Sequence, residues 1–399
     1  MEYALINTII ASIVTAFVFG MAAKKMKLPA IFGYLLAGIA IGPHTPGFVA
    51  DVSLAKQLAE IGIILLMFGV GLHFSLKDLI ESRKIALPGA IVQMASATLI
   101  GAVLAIFLGY SLSAALIFGF SLSVASTIVL LRSLEQRNLL ESNGGKIAIS
   151  WLIIEDIAMV FALVMLPVIA EITHDANASS SLIVTTSLSV LFKVAGFFVF
   201  MFVVGRRFLP WLFVNIAKMR SPELNTLGTL AIALGFASIA YVVFDASLAL
   251  GAFLAGVMLN ESEIGRKSAE TTVSMRDAFS VLFFVSVGML FNPLTLVEQP
   301  IAVVMTFLTI VVAKSVAAVA ITSFFKQTKE VSYAVAIGLA QIGEFSFILG
   351  GLALSKDLIS QDLYSLILAG AMLSIVANPF LFRLYDSRFS KKQPVRENL

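Results

Sequence analysis

The stretch Ile147–Ala170, IAISWLIIEDIAMVFALVMLPVIA, decides what this chain can fold into. Its 24 residues are almost wholly apolar, and as an α-helix rising about 1.5 Å per residue they outreach the roughly 30 Å hydrocarbon core of a bilayer. Near its middle stand two adjacent carboxylates, Glu155 and Asp156. A single ionisable side chain at bilayer depth costs roughly 2.5–3.5 kcal/mol, so such a residue marks function. Two in succession require protons, cations or a basic partner. A site that H⁺ or a cation can neutralise, but not both at once, has the minimum needed to exchange one for the other.

Composition places the whole chain in the same setting. It is 59% hydrophobic and only 13% charged, against roughly 25% charged residues in soluble domains. Its 399 residues leave room for a dozen or so spanning helices, each about 20 residues long. Cysteine does not occur, which excludes disulfides, thiolate metal sites and thiol redox chemistry. The N-terminus, MEYALINTII, has no basic region and no small-residue cleavage site, and reads as a retained first span rather than a signal peptide. No hydrolase triad, P-loop or nucleic-acid module is present, and the basic loops read as determinants of topology.

Apolar runs fall at about 3–23, 29–45, 53–73, 84–109, 111–134, 146–171, 181–205, 223–244, 247–261, 276–290, 298–324, 330–354 and 361–385, thirteen in all. Lipid offers the backbone no hydrogen-bond partners, so each run is expected to be helical. With the N-terminus outside and the C-terminus inside, 23 of the 27 Lys and Arg residues face the cytoplasm, as the positive-inside rule requires. An odd count also permits an inverted repeat, about 1–171 and 223–385, joined by a linker helix at 181–205 and followed by a basic cytoplasmic tail, 386–399. The fifth span of each repeat is expected to break at mid-membrane. One reads SLSVASTIV (Ser121–Val129), and the other reads AQIGEFSFILGG (Ala340–Gly351). Small residues also serve tight helix packing, but Glu344 at mid-depth favours a broken helix in the second.

Asp156 is the first candidate for the shared cation and proton ligand; a permanent ion pair that merely positions helices is the alternative. On a helix Glu155 points about 100° away, so both acids cannot serve one spot. Lys314, in IVVAKSVAAV at the centre of the eleventh span, needs an acidic partner. Glu155 is that candidate, as a fixed pair or as one that breaks during transport. Ser126 and Thr127 offer hydroxyl or freed carbonyl oxygens to a monovalent cation. Glu344 and Gln341 are placed to compensate half-helix ends in span 12. Lys193 reads as a snorkelling residue, His73 as an interfacial histidine rather than a pH sensor, and His44 and His174 as loop residues without a role.

Several strings carry a resemblance in the right order: FGYLLAGIAIGPHTPG (Phe32–Gly47), LLMFGVGLHFSLKDL (Leu65–Leu79), LGAFLAGVMLNESE (Leu250–Glu263), LFFVSVGMLF (Leu282–Phe291) and AQIGEFSFIL (Ala340–Leu349). Together they resemble the Kef-type branch of the monovalent cation:proton antiporter-2 family. WLIIEDIAMV with the nearby STIVLLR resembles the YbaL-like potassium/proton antiporters within it. The resemblance implies an all-α polytopic membrane protein of the sodium/proton-antiporter fold, with spans 5 and 12 as two crossing broken helices. It also implies a homodimer built on span 1, elevator-type movement of the core, and a bacterial inner membrane location. Asp156 matches the family's essential aspartate, and Lys314 matches the lysine of many electrogenic members. Glu155 departs from the pattern, since sodium exporters tend to have Asp there and glutathione-gated potassium exporters Gln. Kef-type proteins usually continue into a cytosolic nucleotide-binding RCK domain; none is read in this chain, so no nucleotide, glutathione or other cofactor site is expected in it. The transported ions are then K⁺ and H⁺, with Na⁺ as the alternative cation bound at Asp156. A gated cation channel and a sodium-coupled solute symporter are the alternatives of another class; no TVGYG-like filter supports the first, and paired acids in span 6 weigh against the second.

Overall fold

The computed structural model describes residues 4–46, 49–73, 76–135, 137–140, 142–174, 192–193, 195–219, 221–244, 246, 248–260 and 273–389. Residues 181–191 of the expected linker and 390–399 of the expected tail lie outside this set. Among the described residues all regular structure is helical. In order these are α1 (Ala4–Lys25), α2 (Ala30–Ala40), α3 (Val52–His73), α4 (Leu76–Phe107), α5 (Leu112–Ser121), α6 (Thr127–Glu135) and α7 (Asn143–His174). A π-helical turn (Met201–Gly205) leads into α8 (Arg206–Lys218), followed by α9 (Pro222–Phe244), α10 (Leu248–Asn260) and α11 (Val273–Met289). The short α12 (Thr295–Glu298) precedes α13 (Pro300–Leu308), a second π-helical turn (Thr309–Ala313) and α14 (Lys314–Phe324). Last come α15 (Lys329–Gly338), α16 (Glu344–Ser355) and α17 (Gln361–Phe389).

Among the described residues, eight helical segments are long and apolar enough to cross a membrane. Shorter apolar helices include α5 and α16, which cannot cross alone and run in tandem with α6 and α15. Spans 5 and 12 are thus each split into two half-helices, as their composition predicts. Side chains mark the boundaries: Asp51 Oδ1 accepts from the N–H groups of Ser53 and Leu54 at the start of α3 (2.9 and 3.1 Å). Ser111 and Thr328 do the same for α5 and α15, each satisfying an orphan donor of a first turn.

Span 7 differs from expectation. Its described helix runs through Arg206 and Arg207 to Lys218, well beyond the predicted end at 205. Arginine is a good helix former and its long stem lets the charge reach the interface, so a pair of arginines does not end a helix.

The chain divides into two compact units that interleave in sequence. The first comprises Met1–Ala22, Gly33–Ser75 and Val160–Phe291. In it α3 packs along α10 and α11, and Gly71 meets Gly256 so closely that a Cβ on either would overlap the opposing backbone. The second comprises Ala23–Phe32, Leu76–Met159 and Asn292–Leu399. Its core gathers around the fully buried Trp151, with Leu130, Leu134, Leu339 and Phe382. Both broken spans belong to this second unit, as does the acidic part of α7.

Overpacking a close helix contact costs about 1–3 kcal/mol. Gly256→Val is therefore expected to lower the thermal midpoint of the detergent-solubilised protein by several degrees, read by size-exclusion chromatography after heating. Gly235→Ala, where an added Cβ meets nothing within 4 Å, should leave the midpoint unchanged or slightly raised.

Candidate functional site

The site grows out of the two breaks. Between α5 and α6 the chain is non-helical over 124–126, and between α15 and α16 over 342–343 after a turn. A helix interrupted in lipid exposes N–H and C=O groups that no water can satisfy. Ser126 caps α6, its Oγ accepting from Val129 N–H at 3.3 Å. A Cβ on residue 343 would overlap Ser126 Cβ, so only glycine lets the two chains cross this closely.

Gln341 ties the crossing together. Its Oε1 accepts from Ser126 N–H (2.9 Å), while its Nε2 donates to the carbonyls of Ser126 (3.1 Å) and Gly338 (3.3 Å). One side-chain amide thus satisfies both backbone groups of Ser126. Glu344, the first residue of α16, accepts from Ser126 Oγ at 3.0 Å. Its carboxylate sits where the positive end of the helix dipole favours it.

Glu155 and Asp156 diverge as helical neighbours must. Glu155, fully buried, accepts at Oε2 from Ala125 N–H (2.7 Å). Lys314, also fully buried, donates from Nζ to the Gln341 carbonyl (3.1 Å). Glu155 Oε1 has no hydrogen-bond partner among the described residues. No direct Glu155–Lys314 hydrogen bond forms in this structure. An acid serves the N–H side of one break and an ammonium the C=O side of the other, the arrangement that half-helix dipoles favour. Charge-assisted bonds of this kind are about twice as strong as neutral ones.

Asp156 is placed differently. Thr127 Oγ1 donates to its Oδ2 at 3.2 Å, and its Oδ1 has no partner. At 6% exposure it is the least enclosed of the three acids, against 0% for Glu155 and 1% for Glu344. The sequence-derived set of Ser126, Thr127, Glu155, Asp156, Lys314, Gln341 and Glu344 is thus linked through the two breaks. Lys193 and His44 lie exposed elsewhere, while the side chains of His73 and His174 fall outside the description.

Three further residues complete the site without having been singled out. Gln93 of α4, fully buried, donates from Nε2 to the Ser123 carbonyl (3.2 Å). Ser374 of α17 accepts at Oγ from Ile342 N–H (3.4 Å). Asn378 donates to the Ile337 carbonyl at the end of α15 (2.8 Å) and pairs with Ser133 of α6 (3.3 Å). Gln93 had a signal, an amide within an apolar run, and so did Asn378, directly before Pro379.

Comparison with known proteins accords with this geometry. Residues 13–384 match the family described as the transmembrane sodium/hydrogen exchanger. The chain belongs to that family. The provisionally named cation/proton antiporter YbaL of Escherichia coli (strain K12) is 50% identical over 98% of this chain and 70% of its own length. K(+) efflux antiporter 4 of Arabidopsis thaliana is 32% identical over 96% of this chain and 64% of its own length. Among solved structures, the sodium proton antiporter MjNhaP1 of Methanocaldococcus jannaschii superposes with a TM-score of 0.64. That match covers 96% of this chain and 97% of the other at 14% identity, a likeness of fold. This exchanger is a cation/proton antiporter and not an enzyme, and membership sets aside the channel and symporter alternatives.

The site's bonds make a differential prediction. Glu155→Gln keeps an oxygen for Ala125 N–H and is expected to retain most thermal stability. Glu155→Leu leaves that donor buried and unpaired, a loss of about 1–3 kcal/mol. Thermal midpoints of the two purified variants check this, and equal midpoints would remove the clamp role.

Proposed function

We propose that this exchanger moves K⁺ outward in exchange for H⁺ across a bacterial inner membrane, with Asp156 as the carboxylate that the two ions occupy in turn. The observation that carries the reading is the state of Asp156, a buried acid with one oxygen held by Thr127 and the other without a partner. A cation arriving there finds a carboxylate and neighbouring hydroxyl oxygens; a proton on the same carboxyl removes the charge that holds the cation. Potassium is favoured because plant relatives across nearly the whole chain carry the name K(+) efflux antiporter. Sodium is the second reading, supported by the MjNhaP1 likeness.

The same proposal includes an elevator-type movement of the unit that holds Asp156, a homodimer built on α1, the N-terminus outside and the C-terminus in the cytoplasm. The basic residues gathered at one membrane face favour that orientation.

Asp156→Asn keeps the shape of the side chain but carries neither proton nor negative charge at neutral pH. In proteoliposomes with an imposed pH gradient, exchange should fall to background while the thermal midpoint holds. Wild-type rates in the variant would remove Asp156 from the cycle. In the same assay the native protein should respond to K⁺ and Rb⁺ ahead of Na⁺ and Li⁺ at matched concentration, and a Na⁺ or Li⁺ preference transfers it to the sodium reading.

Glu155 and Lys314 each hold a backbone group, so we infer that they stay oppositely charged and cancel throughout the cycle while Asp156 alone alternates. Exchange is then one H⁺ for one K⁺ and electroneutral. A net charge per cycle would couple transport to voltage by about 2.3 kcal/mol per 100 mV. A K⁺ jump on a solid-supported membrane should give no sustained current. A turnover-linked current that vanishes in Lys314→Gln would overturn this stoichiometry.

A further inference from the structure

A cavity of about 900 Å³ lies within the second unit, walled by the π-helical turn before Lys314, by α14 and α15, and by the end of α17. We propose that it is a binding site for an anionic glycerophospholipid, separate from the ion site. Its wall is apolar over most of its length, with Val312, Val316 and Leu384 presenting exposed side chains. In a spanning segment such side chains meet hydrocarbon, so an acyl chain is the occupant their chemistry fits. The volume falls within the roughly 300–1,000 Å³ range of small-molecule sites, unlike the flat flank of an ordinary membrane helix.

Apart from Ser315, whose hydroxyl donates to the Ala336 carbonyl at 3.3 Å, the polar groups of the wall lie towards one end. Tyr333 in the first turns of α15 and Ser387 and Arg388 in the last turn of α17 line the cavity there. Asp386, two residues before Arg388 on the same helix, points to another face and cannot neutralise it. It is engaged elsewhere, by Arg137, whose Nε bonds both its oxygens at 3.1 and 3.0 Å. Arg388 is thus left exposed and without an ion pair among the described residues. The turn between α14 and α15 brings Lys326 and Lys329 to the same end, against the acids Glu330 and Asp386, the second of them paired with Arg137. A guanidinium with the Tyr333 hydroxyl at the rim of an apolar slot suits a phosphate diester above an acyl chain, and basic pockets between spanning helices take anionic headgroups.

The test is native mass spectrometry of the full chain released from nanodiscs of phosphatidylethanolamine and phosphatidylglycerol with identical acyl chains. Retained phosphatidylglycerol should exceed its bulk share. Arg388→Gln should reduce that enrichment about five-fold, the loss expected for one interfacial arginine. Ala320→Phe, which fills the slot and leaves the rim intact, should reduce retention of both lipids. Equal retention of the two lipids by the native protein, or enrichment that survives both substitutions, would overturn the proposal. Melting midpoints of both variants, measured in parallel, distinguish loss of the site from loss of the fold.

Discussion

Everything in the second unit depends on backbone polarity stranded in lipid. Two spanning segments break at mid-depth, and each break frees N–H and C=O groups whose burial without partners would cost about 1–3 kcal/mol apiece. The chain answers with side chains from four directions. Gln341 takes both groups of Ser126, Glu155 takes Ala125 N–H, Lys314 takes the Gln341 carbonyl, and Ser374 takes Ile342 N–H. Glu155 and Lys314 are therefore first the partners of the breaks, and the proposed ion site is what remains once those duties are filled.

That view separates the two adjacent acids. Successive helical residues point about 100° apart, so Glu155 reaches one face of α7 and the backbone of the first break. Asp156 reaches another face, where the Thr127 hydroxyl meets it. One carboxylate is committed to the backbone of the break, and the other is the one we propose to bind the ions. The same logic accounts for Lys314 with no hydrogen bond to Glu155, since each charge has a peptide group of suitable polarity.

Much of this was legible before any coordinates. Spans announce themselves by length and apolarity, because lipid permits helices alone. The breaks were visible as hydroxyls, glycines and an acid in runs that should otherwise be leucine and valine. Asp156 stood out for the same reason. What sequence could not supply was pairing across distance. Lys314 and Glu155 looked like natural partners because opposite charges are visible in a sequence, whereas backbone groups carry no letter. Gln93, Ser374 and Asn378 were missed likewise, since each serves a carbonyl or amide on another helix. The end of span 7 was misplaced because arginines read as a loop continue as helix.

The meeting of Ser126, Gln341 and Gly343 also bears on how such a protein can change over time. An amide is the side chain that offers a peptide one donor and one acceptor at once, and glycine is the residue that leaves room for Ser126 to pass. A replacement at any one of these positions spoils what the other two were chosen to fit. Lineages that depart from this arrangement must alter both halves together, so drift at the crossing is expected in linked steps, while the lipid-facing flanks of the same helices vary freely.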